Sequence, residues 1–276
     1  MIPPNATTNR RGRFQRGMAA LGTSAALVGA LVAQTMGIAP AHAATSPAAT
    51  YTVGISLAHD EFNRTGTTLG SAFVGGRWET ASPTGLLRLQ NGAATWSAFT
   101  RGQTTHAWLP EVSAPNAQVD ASFAFGLISR TLYGMSHRTV VRRQINGDGY
   151  VTSAAVLDNG QVSLSLSRVS NRVSTTLAGV PVAATLTSNQ LLNVQTRVVG
   201  SRRVHLVARV WVAGTPRPDW QITYADSSPA AITTRGAVGV NASMGQAGSG
   251  RSVTLTRFHT RRLVAPATTV APAAVG

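Results

Sequence analysis

Two carboxyl groups about 5 to 5.5 Å apart would hydrolyse a glycosidic bond with retention, and acids alternating on one strand face are the usual way to deliver them. The nine acids are Asp60, Glu61, Glu79, Glu111, Asp120, Asp148, Asp158, Asp219 and Asp226, and no strand carries such a pair. Asp60 and Glu61 are adjacent and point to opposite faces if extended. Asp148, Asp158 and Asp219 lie in turns, where a carboxylate binds backbone N–H groups. Elimination from an acidic sugar needs a group that neutralises the carboxylate and a pair that moves the proton. Tyr133, His137, Arg142 and Gln144 supply those types within twelve residues. Strand alternation puts Arg138, Arg142 and Gln144 on one face and Tyr133 and His137 on the other. The six histidines have no i, i+2 or i, i+4 spacing for a zinc site, and no glycine-flanked serine marks a nucleophile elbow. For binding rather than catalysis, His205, Arg209 and Trp211 share the outward parity of one strand, an arrangement for stacking a sugar ring and hydrogen-bonding its hydroxyls. With Arg138 and Arg142 they make up the candidate ligand-binding set.

The composition bears on the partner. The 276 residues include 24 basic ones, every one an arginine, against the nine acids, for a net charge of +15. Such a field favours anionic polysaccharides, wall polymers or lipid headgroups outside a cell. Nucleic acid is not expected, because the N-terminus reads as an export signal and lysine-rich tails are absent. Without cysteine there are no disulfides, thiolate chemistry or cysteine metal sites.

Arg10, Arg11, Arg13 and Arg16 precede an uncharged apolar stretch from Met18 to Met36, and Ala41-His42-Ala43 follows with the small-x-small pattern of a cleavage site. Residues 1–43 therefore read as a secretory signal peptide, and a transmembrane segment is not expected once it is removed. Removal leaves 20 arginines against the nine acids, a charge of +11. Arg10-Arg11 leaves the twin-arginine route open beside the general one.

The elements that must position these side chains are strands. Val162, Leu164 and Leu166 alternate with Gln161, Ser163, Ser165 and Ser167; Val119, Ala121, Phe123, Phe125 and Leu127 repeat the pattern. So do Val204, Leu206, Ala208, Val210 and Val212, and Val238, Val240, Ala242 and Met244. Asp158-Asn159-Gly160 between two alternating runs predicts a hairpin. Roughly a dozen strands at the spacing of sandwiches and barrels follow from Tyr51 to Leu263. Near Thr256 or Arg257 the apolar parity changes, which predicts a β-bulge. The domain reading is a short linker over 44–50, one β-sandwich over 51–263, and a disordered Ala/Pro-rich tail over 264–276.

The segment Asp60-Glu61-Phe62-Asn63-Arg64-Thr65, with Leu69-Gly70, Gly75-Gly76 and Trp78 after it, resembles the opening of concanavalin A-like, laminin-G-like jelly-roll domains of secreted proteins from high-GC Gram-positive bacteria. Tyr150, Leu157 to Gly160, Val162 to Val169, Leu206 to Trp211, Trp220, Asp226-Ser227 and Gly236 continue the likeness in order. The resemblance implies an all-β fold of two antiparallel sheets, with ligands on the concave face or rim loops and often a structural calcium ion. Relatives carry acids around the last-strand bulge, where this chain has Arg257-Phe258-His259-Thr260, so calcium would rest on Asp60 alone, and calcium prefers six to eight oxygen ligands. No other cofactor is implied. Jelly-roll lyases place a histidine two residues after a glutamine, whereas Gln144 is followed at that place by Asn146. The expectation is a secreted, extracellular or wall-associated, non-catalytic module for anionic or cell-wall glycans. An extracellular polysaccharide lyase or glycoside hydrolase on the same fold is the alternative, and a surface adhesion protein the second.

Overall fold

The computed structural model describes residues 46–81, 87–99, 102–126, 134–157, 159–244 and 251–266. Residues 1–43, read above as a signal peptide, Tyr133, Leu127, Asp158 and the tail beyond 266 lie outside the described residues.

One helical turn, α1 (Pro47–Thr50), precedes fifteen strands: β1 (Thr52–Asp60), β2 (Glu79–Ala81), β3 (Leu87–Gln90), β4 (Ala93–Phe99), β5 (Thr104–Ala114), β6 (Ala117–Phe125), β7 (Met135–Arg143), β8 (Gly149–Val156), β9 (Gln161–Ser170), β10 (Val173–Thr185), β11 (Leu191–Val199), β12 (Val204–Val212), β13 (Ile222–Asp226), β14 (Gly236–Met244) and β15 (Arg251–Val264). They form two antiparallel sheets packed as a jelly-roll sandwich. The eight-stranded sheet runs β13-β12-β11-β6-β15-β4-β3, with β1 also paired to β15. The seven-stranded sheet runs β10-β9-β8-β7-β14-β5-β2.

Alternation decides which side chains meet between the sheets. Val162, Leu164 and Leu166 of β9 are buried while Gln161 is exposed, and Phe123, Phe125 and Phe258 close the interior from the other sheet. β8 and β9 pair from Val156↔Val162 outward, closing the hairpin at Asn159-Gly160. Gly160 sits at φ 83°, a conformation costly for residues with a Cβ. The bulge in β15 falls between Leu255 and Arg257 against β6, and it lets Phe258 turn inward where the simple alternation would leave it outside.

Two buried carboxylates brace the sandwich. Asp226 of β13 accepts from Tyr150 Oη (2.7 Å) and Arg168 Nη1 (2.8 Å) of the facing sheet, while Ile232 N donates to the same Tyr150 oxygen. Asp60 accepts from Phe62 N, from Arg64 through both oxygens (2.7 Å each), and from Trp78 Nε1 (2.7 Å). Within the stretch read as a linker, α1 packs on the outside of the eight-stranded sheet: Ala48 is fully buried with Val199, Val207 and Leu263. Arg197 Nη1 holds it by donating to the carbonyls of Ala48, Ala49 and Tyr51.

Candidate functional site

The sequence-derived ligand set divides between the two sheets of the sandwich. His205, Arg209 and Trp211 lie on β12 in the eight-stranded sheet; Arg138 and Arg142 lie on β7 in the other. Along a strand, four residues span about 13 Å, so His205 and Arg209 share a face without meeting. Arg209 is only 9% exposed. Its Nε and Nη2 donate to Gln195 Oε1, its Nη1 donates to Pro218 O at 2.9 Å, and its guanidinium lies 4.0 Å from the Trp220 ring centroid. Burial, followed by Arg217 and Arg197, lowers its pKa to about 10. Gln195 passes the chain of bonds to Asp120, which also accepts from Gln118, and Gln118 accepts from Arg197. The expected stacking patch is thus a structural seam under the Trp220 loop and α1, with half-buried Trp211 at its margin.

The elimination set separates as well. His137 faces the interior and stacks on Phe123 at 3.9 Å, 1% exposed, with neither ring nitrogen hydrogen-bonded among the described residues. Burial lowers its pKa to about 3, so it is neutral. Arg142 does not share the face of Arg138. It sits at φ 53° where the β7–β14 register slips between Ala237↔Arg143 and Gly239↔Val140, and this bulge reverses the alternation. Its guanidinium, 1% exposed, donates to the carbonyls of Pro115, Gly200 and Ile232, tying three connections together. Gln144 Nε2 donates to Arg142 O and Arg235 O within the same corner. Both oxygens of Asp60, the carboxylate on which calcium would rest, accept from four donors of Phe62, Arg64 and Trp78. No group of three or more histidine or acidic side chains with metal-binding geometry occurs among the described residues.

Folding also creates a serine–histidine contact: Ser56 Oγ lies 3.0 Å from His259 Nε2. Arg261 Nη2 lies 3.0 Å from His259 Nδ1 and Arg261 Nε donates to His259 Nε2 at 3.4 Å, so the ring is held between the arginine and the serine.

The outward face of the seven-stranded sheet gathers polar side chains that sequence distance hides. In register across five strands lie Ser165 (β9), Ser153 (β8), Arg138 (β7), Asn241 (β14) and His106 (β5). One row along are Val151, Val140, Gly239 and Trp108, with Glu79 at the edge. On the other side are Ala155, Ser136, Ser243 and Thr104, where Ser136 Oγ and Ser243 Oγ are 2.7 Å apart. Although they point away from the core, Ser136, Val140, Val151 and Ser243 are each less than a tenth exposed, so the floor is recessed. Asn241 hydrogen-bonds His106, whose pKa is nevertheless lowered, first by burial and then by Arg138 and Arg143. Arg143 lies 3.9 Å over Trp108, and Glu79 opposes the lowering that burial imposes on it. Arg138 has no hydrogen-bond or salt-bridge partner among the described residues, and burial lowers its pKa.

Of the sequence-derived residues, Arg138 alone belongs to this row; His106, Asn241 and Trp108 were not assigned to it. The outward parity of His106 and Trp108 against Ala107 and Leu109 is legible in the sequence. Their approach to Arg138 is not, because β14, about a hundred residues later, intervenes between β5 and β7.

No family model matches the sequence, and no curated protein sequence matches it. Solved structures do resemble it. A GH43 glycoside hydrolase engineered for endo-xylanase and exo-arabinofuranosidase activity aligns at 13% identity and a TM-score of 0.50, over 77% of this chain and 42% of that one. The chain thus spans about two fifths of that enzyme. The CBM2 module of the evolved Dit protein of Lactobacillus casei BL23 phage J-1 aligns at 11% identity and 0.48, covering 75% and 95%. The Emp47p carbohydrate recognition domain aligns at 12% and 0.49, covering 78% and 97%. At these identities the likeness is one of fold, a concanavalin A-like jelly-roll sandwich.

Proposed function

We propose that the chain is a secreted, non-catalytic glycan-binding module for anionic or cell-wall polysaccharides, and that it binds through the outward face of the seven-stranded sheet. The observation that carries this reading is the single row of Arg138, Asn241 and His106 beside Trp108 over a recessed floor. It offers charged and amide donors, a histidine and an indole together, with serines for sugar hydroxyls. The N-terminal arginines, apolar stretch and Ala41-His42-Ala43 motif support export, and the +15 charge supports an anionic partner.

A lyase on the same face is the second reading, favoured by Arg138 and His106 lying two strands apart, one on each side of Asn241, so that an acid-neutralising group and a base share one row. A hydrolase has less support, since Glu79 is the one acid among the residues of the three rows. The test is incubation of the protein with neutral and acidic polysaccharides, recording retention and new chain ends together. Retention without new ends is the expected outcome. Unsaturated ends would replace the module by a lyase, plain reducing ends by a hydrolase, and absence of both would remove glycans as the partner.

A further inference from the structure

Resting on that glycan-binding reading, we propose that Arg138 is a carboxylate subsite, so that the ligand is a polysaccharide of carboxylated sugars, with the acid group on Arg138 and a neighbouring sugar of the same chain at Trp108.

Among the described residues, the buried and half-buried arginines other than Arg138 all have hydrogen-bond acceptors. Arg64 and Arg168 hold Asp60 and Asp226; Arg142, Arg197 and Arg209 hold carbonyls or amide oxygens. Arg138 differs in being half-buried at the centre of a sheet face with none of these among the described residues. A guanidinium there has lost part of its hydration without gaining an acceptor, and an anion from outside restores that loss. The acceptor is limited to a small acid group by its surroundings. Ser153 and Asn241 flank Arg138 in register, His106 lies beyond Asn241, and Ser136 and Val140 precede and follow it along the recessed floor. Arg143 does not supply a second free charge, because it is stacked on Trp108 and faces Glu79. One guanidinium with its planar fork matches one planar, singly charged carboxylate.

The spacing sets the ligand's size. Trp108 lies two strands and one row from Arg138, about 12 Å away on a standard sheet lattice. A monosaccharide cannot touch both, whereas an oligosaccharide laid diagonally across the strands can. The nearby titratable and charged groups facing His106 are Arg138 and Arg143 from β7 and Glu79 from β2; Asn241 of β14 is neutral. Neutralising Arg138 with a carboxylate removes one of the two positive charges that disfavour the imidazolium, so His106 must become easier to protonate when the ligand binds.

The protein, its Arg138→Gln and Arg138→Lys variants, and Arg202→Gln as a loss of the same charge at an exposed loop, are compared for affinity to polygalacturonate, to the same polymer fully methyl-esterified, and to dextran sulfate. Thermal melts confirm that each variant folds. Expected are binding to polygalacturonate at least tenfold tighter than to either other polymer, loss of that preference by about 10- to 100-fold in R138Q, a partial loss in R138K, and none in R202Q. Independently, a histidine titration by NMR should show the His106 pKa rising on addition of trigalacturonate to the unaltered protein. Equal binding to the acid and its ester overturns the carboxylate subsite while the glycan reading stands. Equal binding to dextran sulfate, or R138Q behaving as R202Q does, also overturns it. Failure to bind any polymer removes both.

Discussion

His137 shows how one side chain can be legible in type and opaque in role. It alternates correctly with Arg138, but the inward side of its strand is the sandwich interior, where its ring stacks on Phe123 with two unsatisfied nitrogens. Its folded pKa of about 3 lies below the ordinary 6.5. The unfolded chain therefore takes up a proton between those values that the folded one refuses, and folding stability must fall as pH drops through that window, by up to about 1.4 kcal/mol per pH unit. His137→Phe keeps a ring against Phe123 and deletes both buried nitrogens. Denaturant unfolding at pH 7 and pH 4.5 should find H137F equal to or more stable than the parent at neutral pH, with the gap widening at the lower pH; a parallel fall in both proteins would assign acid sensitivity to other groups.

At the scale of elements, the bulges decide what the strands present. The slip at Arg142 converts a side chain that alternation assigns to the open face into a clamp on the carbonyls of Pro115, Gly200 and Ile232. Arg142→Met leaves these three carbonyls without the guanidinium donor, Ile232 O in a buried bond and the other two in part-buried ones. An unmade buried hydrogen bond costs about 1 to 3 kcal/mol, so R142M should lose on the order of 1 to 3 kcal/mol in denaturant unfolding, with any glycan binding kept at temperatures where it stays folded. Gly239 acts differently: it is an outward-facing position where β5 crosses close to β14, and an added Cβ would lie 2.9 Å from Trp108 Cα. The absence of a side chain there allows Trp108 and Val140 to be neighbours across the groove floor. The residues that carried the family resemblance prove to be braces of this kind. Asp60, Arg64 and Trp78 form one network, and Tyr150, Arg168 and Asp226 another. A sequence signature of a fold marks what holds the fold, which is why it located the sandwich well and its ligand face poorly.

For the molecule as a whole, the net charge of +15, from 24 arginines against nine acids, acts at long range, while the subsite on Arg138 acts by contact. The two have different salt dependence. Raising ionic strength from about 0.01 M to 1 M shortens the Debye length from about 30 Å to about 3 Å and should weaken retention on any acidic polymer. The preference for carboxylate over its methyl ester should shrink less than total affinity does, because part of it comes from close, partly desolvated hydrogen bonds. A preference that disappears in step with total retention would place the recognition in the diffuse field.

What the sequence determined by itself were the strands, their inward residues, the hairpin at Gly160 and the bulge beyond Leu255, since alternation and turn chemistry are local. Local rules also narrowed the fold to sandwiches and barrels, because segments with one apolar face must cover one another, and the family resemblance pointed to two sheets. Only the tertiary structure decided which outward residues meet. His205, Arg209 and Trp211 look adjacent in the sequence, yet a strand separates its same-face residues by about 6.6 Å per step, and the Trp220 loop and α1 then cover part of that face. Arg138, Asn241 and His106 are scattered over more than a hundred residues and lie in one row because β14 pairs with both β7 and β5. Which strand lies beside which is a property of the whole chain's packing, and the candidate site is built from that property.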